Sequence, residues 1–291
     1  MFLPRKILEE RLLRMLAEDL GQGDLTTTLI IPDLSTSNAE VIANEEGITA
    51  GIEEAKVLLE SLELKVQTTV ADGDRIRKRQ TIMRISGNTR TILSAERTML
   101  NLVSRMSGIA TMTRRLVDRL RKRGLKTRIA CTRKTAPGLL YFDKKAVWIG
   151  GGDTHRLHLD DLILIKDNHI TVAGGLAEAI GKAKKASFSK KIEIEVTSKK
   201  DAVAAAEAKA DIVMLDNFTL TQVKETLRSI VERGLREKVL LEASGGITSE
   251  NVLDFASTGV DMVSLGEITH SAKALNVSLE IIAARKMRAK N

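Results

Sequence analysis

Residues 130–169 concentrate side chains that could bind a polyanionic small molecule. They hold glycine-rich turns, a short apolar run at 162–165, and the cations Arg133, Lys134, His155, Arg156, Lys166 and His169. Burial in an apolar core would penalise so many charges, because each must leave water. The same groups can neutralise carboxylates or a diphosphate, and arginine can do so through paired hydrogen bonds. This stretch therefore predicts one wall of an anion-binding site.

The elements that must position these residues alternate between strand and helix. The predicted strands are 127–131, 162–165, 191–196, 211–215, 238–243 and 261–265, and the helices between them are 137–148, 176–186, 198–208, 219–233 and 249–257. Such alternation predicts a parallel sheet with covering helices. Fewer strands are readable than the roughly eight of a closed barrel, so we expect an open (incomplete) α/β barrel unless strands are hidden. No GxGxxG motif follows a strand, which argues against a dinucleotide-binding fold.

Polar residues or glycines end almost every predicted strand. They are Thr132, Arg133, Lys134, Lys166, Glu195, Asp216, Asn217, Ser244, Gly245, Gly246, Ser264 and Gly266, with Glu193 inside its strand. The carboxyl ends of barrel strands meet at one mouth, where barrel enzymes place their active site. Singly, each residue has an ordinary alternative as a turn lysine, a helix N-cap or a tight-turn glycine. Their repetition at the same end of successive strands favours a common site.

The residue types indicate a phosphorylated sugar and a second anion as ligands. Glycine turns after the last two predicted strands can donate backbone N–H groups to a phosphate. Glu195 and Asp216 offer oxygen ligands to sugar hydroxyls or to Mg²⁺. The four histidines form no HExxH pattern, so a histidine-rich zinc site is not indicated.

An α+β domain is predicted at 1–110, before the barrel domain at 111–270. Its predicted elements are helices at 5–19 and 52–61, strands at 39–44, 64–70 and 81–85, a polar turn at Asp24, and a helix at 88–106 that continues to 123 after a possible kink at Gly108. The segment 271–291 is predicted to form a C-terminal helix, with its periodic pattern over 271–287, that packs back on the first domain.

Composition limits the class of protein. The 291 residues contain a single cysteine, Cys131, which excludes an intramolecular disulfide and suits a reducing, cytoplasmic setting. The N-terminus lacks a continuous apolar segment, and no run reaches the roughly 18 apolar residues of a membrane span. The net charge of +8 is concentrated in Arg114–Arg128, which we interpret as a solvated helix face. Aromatic residues make up only 2% of the chain, which argues against a nucleic-acid-binding protein.

Longer motifs make the prediction specific. They are EDLGQGDLTT (18–27), NLVSRMSGIAT (101–111), TRKTAPG (132–138), AVWIGGGDTHR (146–156), LILIKDNHI (162–170), IEIEV (192–196), IVMLDN (212–217), ASGGI (243–247) and VSLGEITHS (263–271). In these motifs, in their order and over nearly the whole chain, the sequence resembles the quinolinate phosphoribosyltransferase family.

The resemblance implies an N-terminal α+β sandwich followed by an open α/β barrel. It implies a homodimer, or a dimer-based higher oligomer, in which the N-terminal region of one subunit closes the barrel mouth of the other. It also implies a reaction of quinolinate with 5-phosphoribosyl 1-pyrophosphate and Mg²⁺, giving nicotinate mononucleotide, CO₂ and pyrophosphate for NAD biosynthesis. No nucleic-acid or membrane partner is implied.

The resemblance also implies a role for each matched residue. Arg105 would reach into the partner's site, Thr132, Arg133, His155, Arg156 and Lys166 would bind quinolinate, and Lys134 would lie beside the pyrophosphate. Glu195 and Asp216 would contact the ribose and the metal, and together with Lys134 and Lys166 would be the catalytic residues. The 5-phosphate would be bound by Ser244, Gly245, Gly246, Ser264, Leu265 and Gly266.

Two departures from the family pattern and several alternatives remain. His158 stands where a small residue is frequent and Ala136 where threonine is frequent, which leaves substrate preference open. The alternatives are a relative acting on another anionic acceptor such as nicotinate, a diverged relative linked to molybdenum transport, a Schiff-base lyase that uses Lys166, and a basic nucleic-acid-binding protein.

Overall fold

The computed structural model describes residues 3–285, which fall into two compact units. The first unit comprises the chain up to Met112 together with the residues from Ala272 onward, and the second comprises Thr113–Ser271. The first elements along the chain are α1 (Arg5–Leu20), α2 (Leu25–Ile30), β1 (Thr36–Ala43), β2 (Gly47–Ile48), α3 (Ile52–Ser61), β3 (Lys65–Thr68), β4 (Arg75–Ile76), β5 (Thr81–Asn88) and α4 (Thr89–Lys122).

The remaining elements belong to the second unit, apart from the last strand. They are β6 (Arg128–Cys131), α5 (Leu140–Ile149), β7 (Ile163–Ile165), α6 (Asp167–Ala173), α7 (Leu176–Ala186), β8 (Ile192–Val196), α8 (Lys199–Glu207), β9 (Ile212–Asp216), α9 (Leu220–Glu232), β10 (Leu240–Ser244), α10 (Val252–Ala256), β11 (Met262–Leu265), α11 (Glu267–His270) and finally β12 (Val277–Arg285).

An antiparallel sheet with helices organises the first unit. Its strand order is β12-β1-β5-β3, and β2 and β4 form a separate two-stranded sheet. Alternate residues of β1 are buried, as expected for a strand with one covered face. In α1, the buried residues Leu8, Leu12 and Leu16 recur every four positions and so form one face of the helix. The α+β architecture predicted for this part of the chain is confirmed.

The predicted C-terminal helix is wrong. Residues Val277–Arg285 form β12, which pairs antiparallel with β1 from Ala43↔Val277 to Thr36↔Arg285. The edge of β1 supplies backbone partners along this segment, and that pairing outweighs the helical spacing of its apolar residues. The segment does return to the first unit, but as an edge strand, and residues 286–291 lie outside the described part of the chain.

The predicted polar turn around Asp24 is a helix start. The Asp24 side chain accepts a hydrogen bond from the Thr27 backbone N–H at 2.9 Å and thereby caps α2. The threonines that suggested a turn form the first turn of this short helix, because an N-cap aspartate satisfies one of its exposed N–H groups.

No kink interrupts α4 at Gly108. The helix is continuous over Thr89–Lys122, and the residues after the barrel cross it at this glycine. A Cβ atom at position 108 would lie 2.1 Å from the Lys273 carbonyl oxygen, and the Leu275 N–H donates to the Ser104 carbonyl at 2.9 Å. Glycine therefore permits a close backbone approach here rather than a bend.

A six-stranded parallel sheet forms the second unit. Its order is β6-β11-β10-β9-β8-β7, so β6 and β7 are its edges and the barrel is open. All predicted strands of this unit are present, with bounds that differ by one or two residues. The short helices α6 and α11 were not predicted. Across residues 3–285, no helix has both the length and the apolar character needed to cross a membrane.

The basic stretch 114–128 is only partly a solvated face. Arg114 donates to the carbonyl oxygens of Gly150 at 2.9 Å and Ile149 at 3.1 Å, and Arg119 donates to the Ser249 carbonyl. Leu116 and Leu120 are buried on the same helix. Some of these arginines therefore satisfy carbonyl groups at the ends of other elements, as cations near a helix C-terminus do.

Replacement of Gly108 by alanine should destabilise the protein. Alanine is the better helix former, but its methyl group would overlap the Lys273 backbone, and overpacking of this kind costs about 1–3 kcal/mol. Gly181, inside α7, is the matched control, because a Cβ there meets nothing within 4 Å. Gly181→Ala should stabilise by up to about 1 kcal/mol. Urea denaturation of both variants would measure the difference, and stabilisation by Gly108→Ala would contradict the close approach.

Candidate functional site

A cavity of about 570 Å³ opens in the second unit. Its lining includes Thr132, Arg133, Lys134, His155, Arg156, Lys166, Glu195, Asp216, Ser244, Gly245, Gly246 and Ser264. All residues predicted for the site are therefore in the lining, apart from Arg105, Leu265 and Gly266, which are not. Cys131, Leu164, Met214, Asn217 and Glu242 complete the lining.

Strand register explains why residues distant in sequence meet here. Ser244 of β10 lies opposite Asp216 of β9, and Met214 of β9 lies opposite both Glu195 of β8 and Glu242 of β10. Side chains two residues apart on a strand share a face. Parallel pairing therefore places acids and hydroxyls from several strands on one side of the sheet, at its carboxyl edge.

The cationic wall begins after β6. Arg133 and Lys134 are exposed, and the Lys134 backbone is fixed by the Thr132 hydroxyl, at 3.1 Å from its N–H, and by the Thr269 hydroxyl, which donates to its carbonyl at 2.7 Å. Burial and the nearby positive charge of Arg133 lower the pKa of Arg156. Both guanidinium groups line the cavity, so an anion bound there would be attracted by both and would stabilise the charged form of Arg156.

An acidic edge faces this wall. The Lys166 ammonium donates to the Glu195 carboxylate, whose side chain is 16% exposed. Burial and then the charge of Glu195 raise the pKa of Asp216. Two neighbouring carboxylates, which offer oxygen atoms as ligands, fit a hard divalent cation such as Mg²⁺.

The glycine turn after β10 is locked against the end of β9. Gly245 has φ +81°, and a Cβ there would lie 2.4 Å from the Asn217 side-chain oxygen. Asn217 itself has φ 57° and donates its N–H to the Ser244 carbonyl at 2.9 Å. Glycine is required at 245 for both reasons, so the backbone of the predicted phosphate turn is held in one conformation.

A buried cluster of three ionisable side chains lies at the inner side of the cavity. Nε2 of His155 is 3.1 Å from Glu242 and 3.2 Å from Glu193, and the three side chains are at most 9% exposed. Burial alone would lower the pKa of His155, and the hydrogen bonds and charges of the two glutamates act against that effect. Burial raises the pKa of Glu193. Nδ1 of the ring accepts the backbone N–H of Arg156 at 2.8 Å, so the ring proton is on Nε2, which faces the glutamates.

A buried lysine fixes the backbone of the turn that contains His155 through hydrogen bonds. Lys144 of α5 donates to the carbonyl oxygens of Thr154 at 2.5 Å and Arg156 at 3.0 Å, on either side of His155. His155 has φ 52°, an uncommon conformation for a residue with a side chain. Because Lys144 is fully buried, its pKa is lowered, and its bonds to the two carbonyls offset part of the cost of burial.

Three predicted site residues lie elsewhere. Arg105 is half-buried on α4 in the first unit, Leu265 is fully buried, and Gly266 lies beside the aliphatic part of Lys134. His169, counted among the cations of the opening stretch, accepts the Lys166 backbone N–H at 3.0 Å and so caps α6.

Sequence reasoning missed Glu242 and Lys144 and gave Glu193 no role. A signal was present for each of them. Glu193 and Glu242 interrupt otherwise apolar strands, and Lys144 lies in a helix whose residues are buried nearly all round. A charge in such a position is retained only with a partner.

Comparisons with known proteins agree with this geometry. The family model for the C-terminal domain of quinolinate phosphoribosyl transferase matches residues 109–280, and that for the N-terminal domain matches residues 24–107. A structure titled nicotinate-nucleotide pyrophosphorylase from Francisella tularensis superposes with a TM-score of 0.88 at 39% identity, covering 96% of this chain and 98% of that one.

Curated relatives extend over nearly the same length. A probable nicotinate-nucleotide pyrophosphorylase (carboxylating) of Methanothermobacter thermautotrophicus is 46% identical over 92% of this chain and 96% of its own. The protein of the same name from Archaeoglobus fulgidus is 48% identical over 89% of this chain and 98% of its own. The chain belongs to the quinolinate phosphoribosyltransferase family.

Proposed function

We propose that this protein transfers the phosphoribosyl group of 5-phosphoribosyl 1-pyrophosphate to quinolinate with decarboxylation. The products are nicotinate mononucleotide, CO₂ and pyrophosphate, a step of de novo NAD biosynthesis. One observation carries the proposal: a single cavity joins a cationic wall, an acidic pair and a glycine turn. The relatives that bear the name of this activity share this chain's length as well as its sequence.

Quinolinate is a dianion, and the cationic wall matches it. Arg133 and Arg156 bind its carboxylates, with Lys166 and the Thr132 hydroxyl on the same side of the cavity. Paired guanidinium hydrogen bonds fix the plane of a carboxylate as well as its position. The apolar side chains of Leu164 and Met214 in the lining offer contact to the face of the pyridine ring.

Phosphoribosyl pyrophosphate is bound by the other side of the cavity. The turn Ser244, Gly245 and Gly246 binds the 5-phosphate, with Ser264, whose hydroxyl donates to Glu242, and the backbone of Leu265 and Gly266 beside it. Backbone N–H groups in a left-handed glycine turn form a concave site for an anion. Lys134 is the cation for the pyrophosphate.

Glu195 and Asp216 contact the ribose hydroxyls and hold Mg²⁺, either directly or through water. Burial and then the charge of Glu195 raise the pKa of Asp216, and a cation bound between the two carboxylates would stabilise the ionised form of Asp216. When bound, Mg²⁺ supplies positive charge to the leaving pyrophosphate.

The chemistry needs positioning and charge more than a covalent intermediate. The C1–oxygen bond of the sugar breaks and pyrophosphate leaves with the electron pair, towards Lys134, while Glu195 and Asp216 stabilise positive charge on the ribose. The quinolinate nitrogen then forms the bond to C1. Loss of CO₂ from ring position 2 leaves an electron pair stabilised by the pyridinium nitrogen, and a proton takes its place.

The dimer and the setting are proposed with the reaction. Arg105 would enter the partner's cavity and add a cation to the quinolinate wall, which explains its place in a family motif away from the cavity lining. The single cysteine supports a reducing, cytoplasmic environment. For the Schiff-base alternative, the contact of Lys166 with Glu195 is unfavourable, because it suits a cationic anchor better than a nucleophilic amine.

The deciding assay is pyrophosphate release from phosphoribosyl pyrophosphate. With quinolinate and Mg²⁺ we expect turnover with stoichiometric CO₂, and with nicotinate little or none, because nicotinate lacks the second carboxylate that the arginine wall binds. Borohydride added during turnover should leave no adduct on Lys166. Preference for nicotinate, or a trapped lysine, would overturn the proposed reaction.

Arg133→Ala and Lys166→Ala should each abolish most quinolinate binding while the fold survives. Loss of one charge-assisted partner of a buried carboxylate costs about 2–4 kcal/mol, equivalent to roughly 30- to 1,000-fold in affinity. Isothermal titration gives the affinity, and circular dichroism checks the fold. Arg233→Ala, which removes an exposed cation paired with Glu207, is the control. Unchanged binding in both site variants would rule out the assigned wall.

Mixing two inactive variants tests the shared site. Arg105→Ala and Lys166→Ala should each be nearly inactive alone. If Arg105 acts across the dimer, random exchange of subunits gives heterodimers with one intact site, and roughly one quarter of wild-type activity should return. If Arg105 acts within its own chain, mixing restores nothing. Gel filtration of the mixture verifies that subunits are dimeric.

A further inference from the structure

We infer that Glu193 and Glu242 are positioning residues for Arg156, which they fix in place through His155. The inference rests on the proposed function, because it concerns the quinolinate wall. The resemblance places His155 among the residues that bind quinolinate and gives Glu193 and Glu242 no role. The hydrogen bonds of the cluster indicate that His155 acts on the wall from within the protein.

Both ring nitrogens of His155 are engaged inside the protein. Nε2 lies 3.1 Å from an oxygen of Glu242 and 3.3 Å from an oxygen of Glu193. Nδ1 lies 2.8 Å from the backbone nitrogen of Arg156, in the geometry of an acceptor. Because Nδ1 accepts, the ring proton is on Nε2 and is donated towards the two glutamates.

The contact with Arg156 connects the cluster to the cavity wall. The backbone N–H of Arg156 is bound by the imidazole, and its carbonyl oxygen accepts from buried Lys144 at 3.0 Å. The peptide groups on both sides of the Arg156 side chain therefore have fixed partners. Its guanidinium is only partly exposed and lines the cavity. A rotation of the imidazole would break its hydrogen bond with the Arg156 N–H. The Arg156 side chain would then lose its fixed orientation in the cavity wall.

The two glutamates are themselves held in place. Glu242 accepts a hydrogen bond from the Ser264 hydroxyl of the neighbouring strand. Glu193 is fully buried, and its two carboxylate oxygens lie 3.2 Å and 3.3 Å from Nε2 of His155. A buried carboxylate is costly unless it is paired, so both glutamates keep the imidazole in one orientation.

A divalent cation is the competing occupant of the cluster. His155, Glu193 and Glu242 each present a ligand atom, and these atoms lie within 4.8 Å of one another. Direct hydrogen bonds already account for both nitrogens of the ring, however, and a metal would displace the proton from Nε2. The two arrangements differ in the protonation of His155, which NMR detects.

The test replaces each glutamate by leucine, which keeps the volume but accepts no hydrogen bond, and by glutamine, which keeps an acceptor oxygen. In Glu242→Leu and Glu193→Leu, the dissociation constant of quinolinate should rise about tenfold or more, as expected when a buried N–H loses its partner. That of phosphoribosyl pyrophosphate should change by less than about twofold in Glu193→Leu, which leaves the hydrogen bond between Ser264 and Glu242 intact. Glu242→Gln and Glu193→Gln should restore most of the quinolinate affinity. Glu207→Gln, at the surface, is the matched control.

Nitrogen-15 spectra of the four histidines provide the second readout. In the wild type, His155 should show protonated Nε2 and unprotonated Nδ1, unaffected by EDTA or by added Zn²⁺, and the leucine variants should lose this pattern. Unchanged quinolinate affinity in the leucine variants, equal loss of both ligands in Glu193→Leu, or a metal-sensitive His155 signal would each overturn the inference. A wild type that shows the His155 pattern but does not bind quinolinate would refute the proposed function instead.

Discussion

Parallel pairing of the six strands of the second unit is the constraint on which the site depends. Because all of these strands run in one direction, the loops that follow them emerge at one edge of the sheet. Side chains that are separated by up to about 130 residues in the sequence meet there. No single segment could assemble this set, since the cations follow β6 and β7 whereas the acids and the glycine turn follow β8, β9 and β10.

Concentrated charge at the edge of an aliphatic sheet must be balanced within the protein. Lys166 is paired with Glu195, and the imidazole of His155 lies between Glu193 and Glu242. Lys144 is buried and donates to two carbonyl groups. In each case the charged or polar group has a hydrogen-bonding partner, which is the condition under which its burial, partial or complete, is tolerated. The same partners fix the site's geometry before any ligand binds.

The sequence sufficed to predict the strands of the barrel and most of the cavity lining. Residues such as Lys166 and Asp216 could be identified because each comes directly after a run of apolar strand residues, at the point where the sequence becomes polar. Gly108, the segment 277–285 and Glu242 were misread or missed for a different reason. The meaning of each depends on a partner remote in sequence: the Lys273 backbone, the edge of β1 and the His155 ring. Local periodicity carries no information about such partners.

The charged residues of the cavity lining indicate which ligands the cavity can bind. On one side, burial and then the charge of Arg133 lower the pKa of Arg156, and on the other, burial and then the charge of Glu195 raise that of Asp216. A ligand of opposite sign would stabilise the charged forms of Arg156 and Asp216. A rigid scaffold that keeps both pairs in place favours simultaneous binding of an anion at the arginines and of a cation at the acids. The proposed ligands, quinolinate and 5-phosphoribosyl 1-pyrophosphate with Mg²⁺, meet both requirements, whereas a neutral substrate would meet neither. The charges that the fold keeps in the cavity lining therefore favour ligands of opposite sign.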